Sequence, residues 1–255
     1  MFLSNINLGQ YVPTGSIIHK LDPRAKLFSL LFIISAVFPA KNFFQLTFWT
    51  IALAAVVYVS KISWGVLLRS ARPIFFLVAF TFGFNLLSAY FTGDVSTSLF
   101  RAVFTSLRLV VLMLFAIMLP LTTAPLELAD GLNTLLRPLE RFGFPANECA
   151  MMIGMALRFI PLLMQETDKI IRAQLSRGAR LDQGNLFRRV MAFFPVLIPL
   201  FIIIFRRADE IATAMEARGY DGGAGRTRRK PLVWKFNDTA AVIISILAAG
   251  SFFII

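Results

Sequence analysis

The residue types that most often support catalysis or metal binding are nearly absent from this chain of 255 residues. Cys149 is its single cysteine and His19 its single histidine, which excludes an internal disulfide, a cysteine metal cluster and most histidine acid–base chemistry. We expect His19 to be a turn residue or interfacial anchor. The phosphate-binding pattern Gly-x-x-x-x-Gly-Lys-Ser/Thr does not occur. The sequence therefore predicts a protein that is not an enzyme and binds no cofactor or metal of its own.

Charged residues are scarce and apolar residues are abundant. They make up 16% and 57% of the chain, against about 25% and 45–50% in a typical soluble domain. Apolar runs cover residues 25–38, 43–60, 73–91, 99–121 and 239–255. A membrane helix needs about 17–25 residues, so the first run is short and the others suffice. The sequence predicts an all-α polytopic membrane protein with about five transmembrane helices, the first two joined by a tight turn at Pro39-Ala40-Lys41-Asn42.

The distribution of basic residues predicts the orientation of these helices. Six basic residues lie before or at the start of the first run or between the second and the third: Lys20, Arg24, Lys26, Lys61, Arg69 and Arg72. The loops on the opposite side carry Lys41 and Asp94. By the positive-inside rule, the N-terminus lies in the cytoplasm and the C-terminus outside. The net charge of +12 and the basic string at residues 226–230 favour the lipid bilayer, with its anionic headgroups, over nucleic acid as the neighbour.

The segment between the fourth and the last run has a different composition. Residues 122–238 contain 17 Lys+Arg and 12 Asp+Glu, yet apolar stretches persist at residues 150–164 and 190–205. Helices from 147 to 177 and from 185 to 218 would be roughly 45–50 Å long, well beyond a bilayer core of about 30 Å. This pattern is typical of long amphipathic helices.

The composition therefore divides the chain into three regions. Residues 1–121 hold the first four spans, residues 122–238 form a cytoplasmic domain of long helices, and residues 239–255 form the last span. The alternative is that the two long helices are further membrane spans, which would leave the side of the C-terminus unchanged.

The two long helices end in related sequences. Ile160-Pro161-Leu162-Leu163 leads to Ser176-Arg177-Gly178, and Ile198-Pro199-Leu200-Phe201 leads to Ala217-Arg218-Gly219. A glycine after the last helical residue and a cation in the last turn are ordinary features of a helix C-terminus. A planar guanidinium at a rigid helix end can also form bidentate hydrogen bonds to a partner's carboxylate. Because the motif occurs twice, it indicates two related partners.

Five motifs follow one another in the order in which a known family has them. They are Leu21-Asp22-Pro23-Arg24, Leu121-Thr122-Thr123-x-Pro125, Ala156-Leu157-Arg158-Phe159-Ile160-Pro161, Ala173-Gln174-x-Ser176-Arg177-Gly178 and Ala214-Met215-Glu216-Ala217-Arg218-Gly219-Tyr220. With them the chain resembles the transmembrane T component (EcfT, with CbiQ- and BioN-like members) of energy-coupling factor (ECF) transporters, which import vitamins and metal ions. The resemblance runs from about Tyr11 to the C-terminus. The tail at residues 220–228 is most similar to T components of the shared, vitamin-importing kind.

The resemblance implies a scaffold that couples two ABC-type ATPases, as a heterodimer or a homodimer, to a small membrane-embedded substrate-binding subunit, the S component. ATP and Mg²⁺ would be bound by the ATPases. ATPase docking is assigned to Ser176-Arg177-Gly178 and Ala217-Arg218-Gly219, of which the first departs from the commoner Ala-Arg-Gly by its serine. Coupling helices at about 125–142 and in the two long helices would cradle the S component. The implied location is the inner membrane of a bacterium or archaeon.

Two alternatives stand beside the shared scaffold. A dedicated T component would serve one S component for cobalt, nickel or biotin. An autonomous carrier would need carboxylates or broken helices inside its spans, and Asp94, in an outer loop, is the only acid between residues 27 and 121. Arg108 is the one charge placed well inside a span, where it either binds a neighbouring helix or extends to the interface.

Overall fold

The computed structural model of the chain describes residues 11–92, 95–143, 145–179, 186–221 and 232–253. The regular structure within these ranges is helical throughout, as predicted. The helices are α1 (Pro23–Val37), α2 (Phe43–Ser60), α3 (Trp64–Ser70), α4 (Arg72–Thr92), α5 (Val95–Thr122), α6 (Pro125–Leu136), α7 (Ala146–Ser176), α8 (Leu186–Glu216) and α9 (Phe236–Phe253). A 3₁₀ segment at Arg137–Phe142 lies between α6 and α7.

These helices belong to two compact units. The first, which we call the bundle unit, consists of α1 to α5, α6 up to Leu135, and α9. The second, the arm unit, consists of the 3₁₀ segment, α7 and α8.

Stripes of large apolar side chains hold the bundle unit together. In α2, Leu46, Trp49, Leu53 and Val57 are buried at intervals of three or four residues, the spacing that places side chains on one face of a helix. They share one core with a stripe from α5: Phe104, Val111, Phe115, Met118 and Leu121. The rings of Trp49 and Phe115 meet edge to face, with centroids 6.2 Å apart. Apolar side chains such as Ile51 are exposed on the outer face, as on a helix that faces lipid.

Several helices are long and apolar enough to cross a membrane. By length and composition, α2, residues 99–122 of α5, α7 and residues 191–216 of α8 qualify singly, and α3 with α4 qualifies as a pair bent by 61°. The helix α2 coincides with the second predicted run. The turn predicted at residues 39–42 lies between α1 and α2, and the Ala40 N–H donates there to the Val37 carbonyl at 3.2 Å. The chain is a polytopic all-α membrane protein.

The long helices α7 and α8 have 31 residues each, which corresponds to about 45 Å. Both continue through prolines, Pro161 in α7 and Pro195 and Pro199 in α8. Their apolar parts meet the same requirements of length and composition as α2 and α5. Their cytoplasmic location, and the domain boundaries after residues 121 and 238 that depend on it, stay predictions.

Candidate functional site

The C-terminal end of α7 is closed by a glycine in the left-handed conformation. Gly178 has a φ of +87°, and its N–H donates to the Leu175 carbonyl at 2.9 Å. The N–H of Ala179 donates to the Gln174 carbonyl at 3.0 Å. Two such bonds around a left-handed residue form a Schellman motif, in which Arg177 is the C-cap.

The C-terminal end of α8 repeats this geometry. Gly219 has a φ of +69°, its N–H donates to the Glu216 carbonyl at 2.9 Å, and the Tyr220 N–H donates to the Met215 carbonyl at 3.0 Å. Arg218 thus holds the position that Arg177 holds on α7. Because an L side chain is strained at a positive φ, glycine is the favoured residue for ending each helix directly behind its arginine.

Arg177 and Arg218 are both exposed. Neither guanidinium forms an ion pair with another described residue, whereas Lys169 and Arg207 on the same helices each pair with a glutamate three residues away, at 3.0 and 3.1 Å. The hydroxyl of Ser176 donates back to the helix backbone at 3.0 Å. The two arginines are therefore open to an anionic group of a partner.

Packing within the arm unit places the two helix ends far apart. The C-terminal half of α7 lies against the N-terminal half of α8, where Ile171 and Val196 are buried together and the Gln174 amide donates to the Pro195 carbonyl at 3.2 Å. The C-terminal half of α8 faces the N-terminal half of α7. The helices run antiparallel, so the two arginines lie at opposite ends of the pair.

An open groove of about 800 Å³ separates the N-terminal half of α7 from the C-terminal half of α8. Three methionines line it: Met151, Met155 and Met215. Methionine side chains adapt readily to an irregular partner surface. Arg158, Phe159 and Arg218 also border the groove, so the third and the fifth sequence motifs meet at this surface.

A buried polar cluster in the bundle unit joins the first motif to the last helix. Asp22 caps α1, and its carboxylate accepts hydrogen bonds from the backbone N–H and the guanidinium of Arg24, both at 2.9 Å. The Asp22 N–H donates to one carboxylate oxygen of Asp238 at 2.8 Å, and the Lys235 N–H donates to the other at 2.7 Å. Asp238 is 1% exposed. Two aspartates thus connect the starts of α1 and α9, which lie 216 residues apart in the chain.

Lys26 brings the second motif into the same cluster. Its ammonium donates to the carbonyls of His19 and Thr122 at 3.2 and 2.9 Å and to the hydroxyl of Thr123 at 3.1 Å. These acceptors match the three protons of an ammonium group, which a buried lysine requires. Lys26 therefore holds the C-terminal end of α5, at Thr122 and Thr123, against the first turn of α1.

The titrating groups beside this cluster respond to burial and to their hydrogen bonds. Burial raises the pKa of the Asp22 carboxyl, but the hydrogen bonds and charge of Arg24 outweigh it and leave the pKa below its ordinary value. Burial lowers the pKa of His19. The Nε2 of His19 donates to the Val12 carbonyl at 2.8 Å, and its Nδ1 lies 2.7 Å from the Ser16 hydroxyl. His19 therefore orders the turn before α1.

Arg108 contacts the turn between α1 and α2. Its guanidinium donates to the carbonyls of Phe38 and Ala40 at 3.0 and 3.3 Å and lies 5.8 Å from the centroid of the Phe38 ring. Backbone carbonyls thus take the place of water around the charge, and the side chain ties α5 to its neighbours.

Comparison with known proteins decides the family. The model of the CbiQ family, described as "Cobalt transport protein", matches residues 14–230. The chain is 45% identical over 258 residues to the energy-coupling factor transporter transmembrane protein EcfT of Thermanaerovibrio acidaminovorans, covering 98% of this chain and 96% of the relative. This chain belongs to the CbiQ/EcfT family. EcfT of Bacillus subtilis is 39% identical over 99% of both chains, and EcfT of Clostridium kluyveri 43% identical over 96% of this chain and 94% of the relative.

Within this EcfT-family protein, the structure places the first two motifs in the bundle cluster and the last three in the arm unit. Asp22 and Thr123 belong to the sequence motifs. Lys26 and Asp238 do not, and in the sequence each is simply a charged residue beside an apolar run. Across the described residues, no group of three or more histidine, cysteine, aspartate or glutamate side chains is positioned to hold a metal ion.

Proposed function

We propose that this EcfT-family protein is the non-catalytic coupling subunit of an ECF-type ABC importer. Two ABC-type ATPases, identical or different, bind ATP and Mg²⁺ and hydrolyse the nucleotide, and a separate S component in the membrane binds the cargo. The observation that carries the proposal is the pair of matching helix ends that present Arg177 and Arg218. A scaffold that holds two homologous ATPases needs two equivalent points of attachment.

Each arginine enters an acidic groove of one ATPase in this proposal. The left-handed glycine turns the chain away immediately behind the guanidinium, so that the helix end can approach a concave surface. The small residue before each arginine, Ser176 or Ala217, leaves room beside it. Charge-assisted bidentate bonds to a carboxylate would then fix both distance and orientation.

The helices α7 and α8 transmit the movement of the ATPases. Their direct packing is small and centred on Ile171 and Val196, so a displacement of either end changes the crossing angle without breaking a large core. Closure of the ATPases on nucleotide moves both ends, and the crossing helices reorient the S component within the membrane. The cargo is then released to the cytoplasm.

An apolar cradle for the S component is supported by exposed side chains on the proposed coupling helices. The 3₁₀ segment exposes Phe142 at 91%, and α7 and α8 expose Met152, Phe194 and Phe201. We propose that several S components for different vitamins alternate on this surface. The description of the family as cobalt transport favours the dedicated alternative, with a single S component for cobalt, nickel or biotin. Counting the small membrane proteins that co-purify with the native protein separates the two.

The proposed orientation in the cell membrane puts the N-terminus in the cytoplasm and the C-terminus outside. The support is the cluster of basic residues before α1 and between α2 and α4. Both motifs would then face the compartment that supplies ATP.

Charge reversal at both helix ends tests the proposal. The variant Arg177→Glu/Arg218→Glu should lose both ATPases on affinity purification and lose uptake of labelled vitamin in its host, because each acidic groove would meet a negative charge. The matched control is Arg172→Glu/Arg206→Glu, which makes the same charge change at exposed positions of the same helices. The control should still bind both ATPases and should still support uptake of the vitamin.

The amount of protein in the membrane must stay the same in both variants for the comparison to hold. Normal uptake by Arg177→Glu/Arg218→Glu would refute the docking role of the two arginines. Equal loss in the control would show that the overall charge of the arm unit matters, rather than its two ends.

A further inference from the structure

A second open groove, of about 720 Å³, lies in the bundle unit between the N-terminal segment and the end of α2. One wall consists of Gly15, Ser16, Ile17 and Lys20, and the other of residues 57–59 and 61–64. We call it the lysine groove. It is remote in sequence from the helix ends of the arm unit, and none of the five family motifs contributes a residue to its walls.

Lys61 sits in this groove in an unusual backbone conformation. It has a φ of +56° and is the one non-glycine residue with positive φ in the part of the chain that the structure describes. The other left-handed positions there are glycines: Gly15, Gly143, Gly178 and Gly219. Glycine would fit this turn with less strain, so the lysine side chain is present at a cost to the backbone.

The charges of the lysine groove are of one sign. Lys20 and Lys61 are both exposed, and neither forms an ion pair with a described residue, unlike the ion-paired arginine of α1. The described residues that line the groove include no aspartate or glutamate. Two unpaired ammonium groups on one concave surface are complementary to a phosphate.

The same groove exposes large amphipathic and apolar side chains. Tyr58 is 86% exposed and Trp64 53% exposed, and Ile17 lies opposite them at 65%. Tyrosine and tryptophan are enriched at the level of lipid headgroups, where one part of the ring is apolar and the other is wet. Tyr58 lies in the last turn of α2, a helix able to span the membrane, and Trp64 begins α3. If α2 spans the membrane, the groove at its end opens at the depth of the headgroups and the first methylenes.

Hydrogen bonds hold the two walls in place. The hydroxyl of Thr14 donates to the Ser60 carbonyl at 2.7 Å, and the Ile62 N–H donates to the Ser60 hydroxyl at 3.3 Å. The Lys61 N–H donates to the Tyr58 carbonyl at 3.2 Å. The N-terminal segment is thus fastened to the end of α2, so little ordering is needed when a ligand binds.

We infer that the lysine groove binds the headgroup of an anionic phospholipid. The lipid phosphate lies between the ammonium groups of Lys20 and Lys61, and the upper part of an acyl chain lies along Ile17, Tyr58 and Trp64. A bound lipid fixes the end of α2 at the membrane surface. This role is independent of ATPase docking by the arm unit.

Native mass spectrometry of the intact protein tests this inference with defined lipids. The protein is purified in a neutral detergent and given equal amounts of phosphatidylglycerol and phosphatidylcholine. The unmodified protein should retain phosphatidylglycerol preferentially. Lys20→Gln and Lys61→Gly should each lower the ratio of bound phosphatidylglycerol to phosphatidylcholine about fivefold, and the double variant should abolish the preference.

The substitution Lys61→Gly separates charge from folding. Glycine fits the left-handed turn, so the thermal unfolding temperature should not fall, while the ammonium group is removed. Lys61→Arg keeps a positive charge and should keep the preference for phosphatidylglycerol. Lys41→Gln makes the same charge change as Lys20→Gln at an exposed turn outside the groove, and it should leave the lipid ratio unchanged.

The inference is overturned if the double variant keeps its preference for phosphatidylglycerol, or if Lys41→Gln lowers the ratio as much as Lys20→Gln. Displacement of the lipid by inorganic phosphate alone would instead identify a soluble anion as the ligand and overturn the assignment to lipid. ATPases should co-purify normally with the Lys20→Gln/Lys61→Gly variant. A negative result for lipid binding would therefore leave the proposed coupling function intact.

Discussion

The buried cations of the bundle unit and the arginines at the ends of the arm helices differ in their partners. In the bundle unit, the charges of Arg24, Lys26 and Arg108 are satisfied by a carboxylate, carbonyls and a hydroxyl of the same unit. In the arm unit, Arg177 and Arg218 stand at the ends of rigid helices without an ion pair among the described residues. Burying a charge requires internal partners, whereas an exposed charge keeps its hydrogen bonds for another molecule. The buried cations of the bundle unit therefore support the fold, whereas the exposed arginines at the arm ends are the ones that we propose bind a partner.

The largest effect should come from breaking the polar cluster of the bundle unit. Asp238→Ala leaves the buried N–H of Asp22 and the partly buried N–H of Lys235 without acceptors, and it should lower the free energy of unfolding by about 3 kcal/mol. Asp238→Asn, which keeps one acceptor oxygen, should lower it by less. Unfolding in detergent micelles, followed by circular dichroism, measures both. A loss below about 0.5 kcal/mol for the alanine variant would show that the cluster does not stabilise the bundle.

A smaller effect should follow from disturbing the contact of α6 with α1. The Cβ of an alanine at position 131 would lie 2.9 Å from the Cβ of Pro23, so Gly131→Ala should destabilise the bundle unit by about 1–3 kcal/mol. Gly65→Ala, in α3, meets no atom within 4 Å and should be neutral or slightly stabilising. The same unfolding measurement compares them, and equal stability of the two variants would contradict the packing of α6 on Pro23.

Replacing the glycines at the arm ends should lower the free energy of unfolding by less than Gly131→Ala does. The loss should be the same for both helices. Gly178→Ala and Gly219→Ala place a side chain at φ values of +87° and +69°, at a cost of about 1 kcal/mol each. No neighbouring atom within 4 Å of the added methyl group contributes to this cost. Limited proteolysis should show earlier cleavage at the affected end. Unequal effects of the two substitutions would contradict the equivalence of the two caps.

The smallest effect on stability should come from the two arginines themselves. Arg177→Gln and Arg218→Gln remove exposed charges that make no ion pair within the described residues, so each should change the free energy of unfolding by less than about 0.5 kcal/mol. Variants that unfold normally and still fail to bind ATPases would support the contrast between the buried cations of the bundle unit and the arginines at the arm ends. A loss of more than about 1 kcal/mol would place the arginines among the charges that support the fold.

Local patterns in the sequence were sufficient for much of this architecture. The bounds of α2, the α1–α2 turn and the left-handed Gly178 and Gly219 follow from apolar runs and cap residues that lie within a few positions of one another. The helix α3, between the second and third apolar runs, was missed, because a helix of seven residues is too short to show a period. Patterns among neighbouring residues thus predict most helices, and they predict the segments that connect the helices less well.

Long-range contacts were out of reach of sequence patterns. The hydrogen bond between Asp22 and Asp238 joins residues 216 positions apart, and the bonds from Lys26 to the end of α5 span 96 and 97 positions. Nothing in the local sequence distinguishes these charges from charges at a membrane surface. Partner docking by Arg177 and Arg218 was inferred from their repetition and the family resemblance, and it stays a prediction because the partners are other chains.

The most direct test of the two-ended scaffold is to count the ATPase subunits bound to one copy of this protein by native mass spectrometry without nucleotide, so that the ATPases do not hold each other. The account predicts two ATPases on the unmodified protein, one on Arg177→Glu, one on Arg218→Glu and none on the double variant, with Arg172→Glu/Arg206→Glu retaining two. Two ATPases on either single variant would contradict the claim that each arginine attaches one of them.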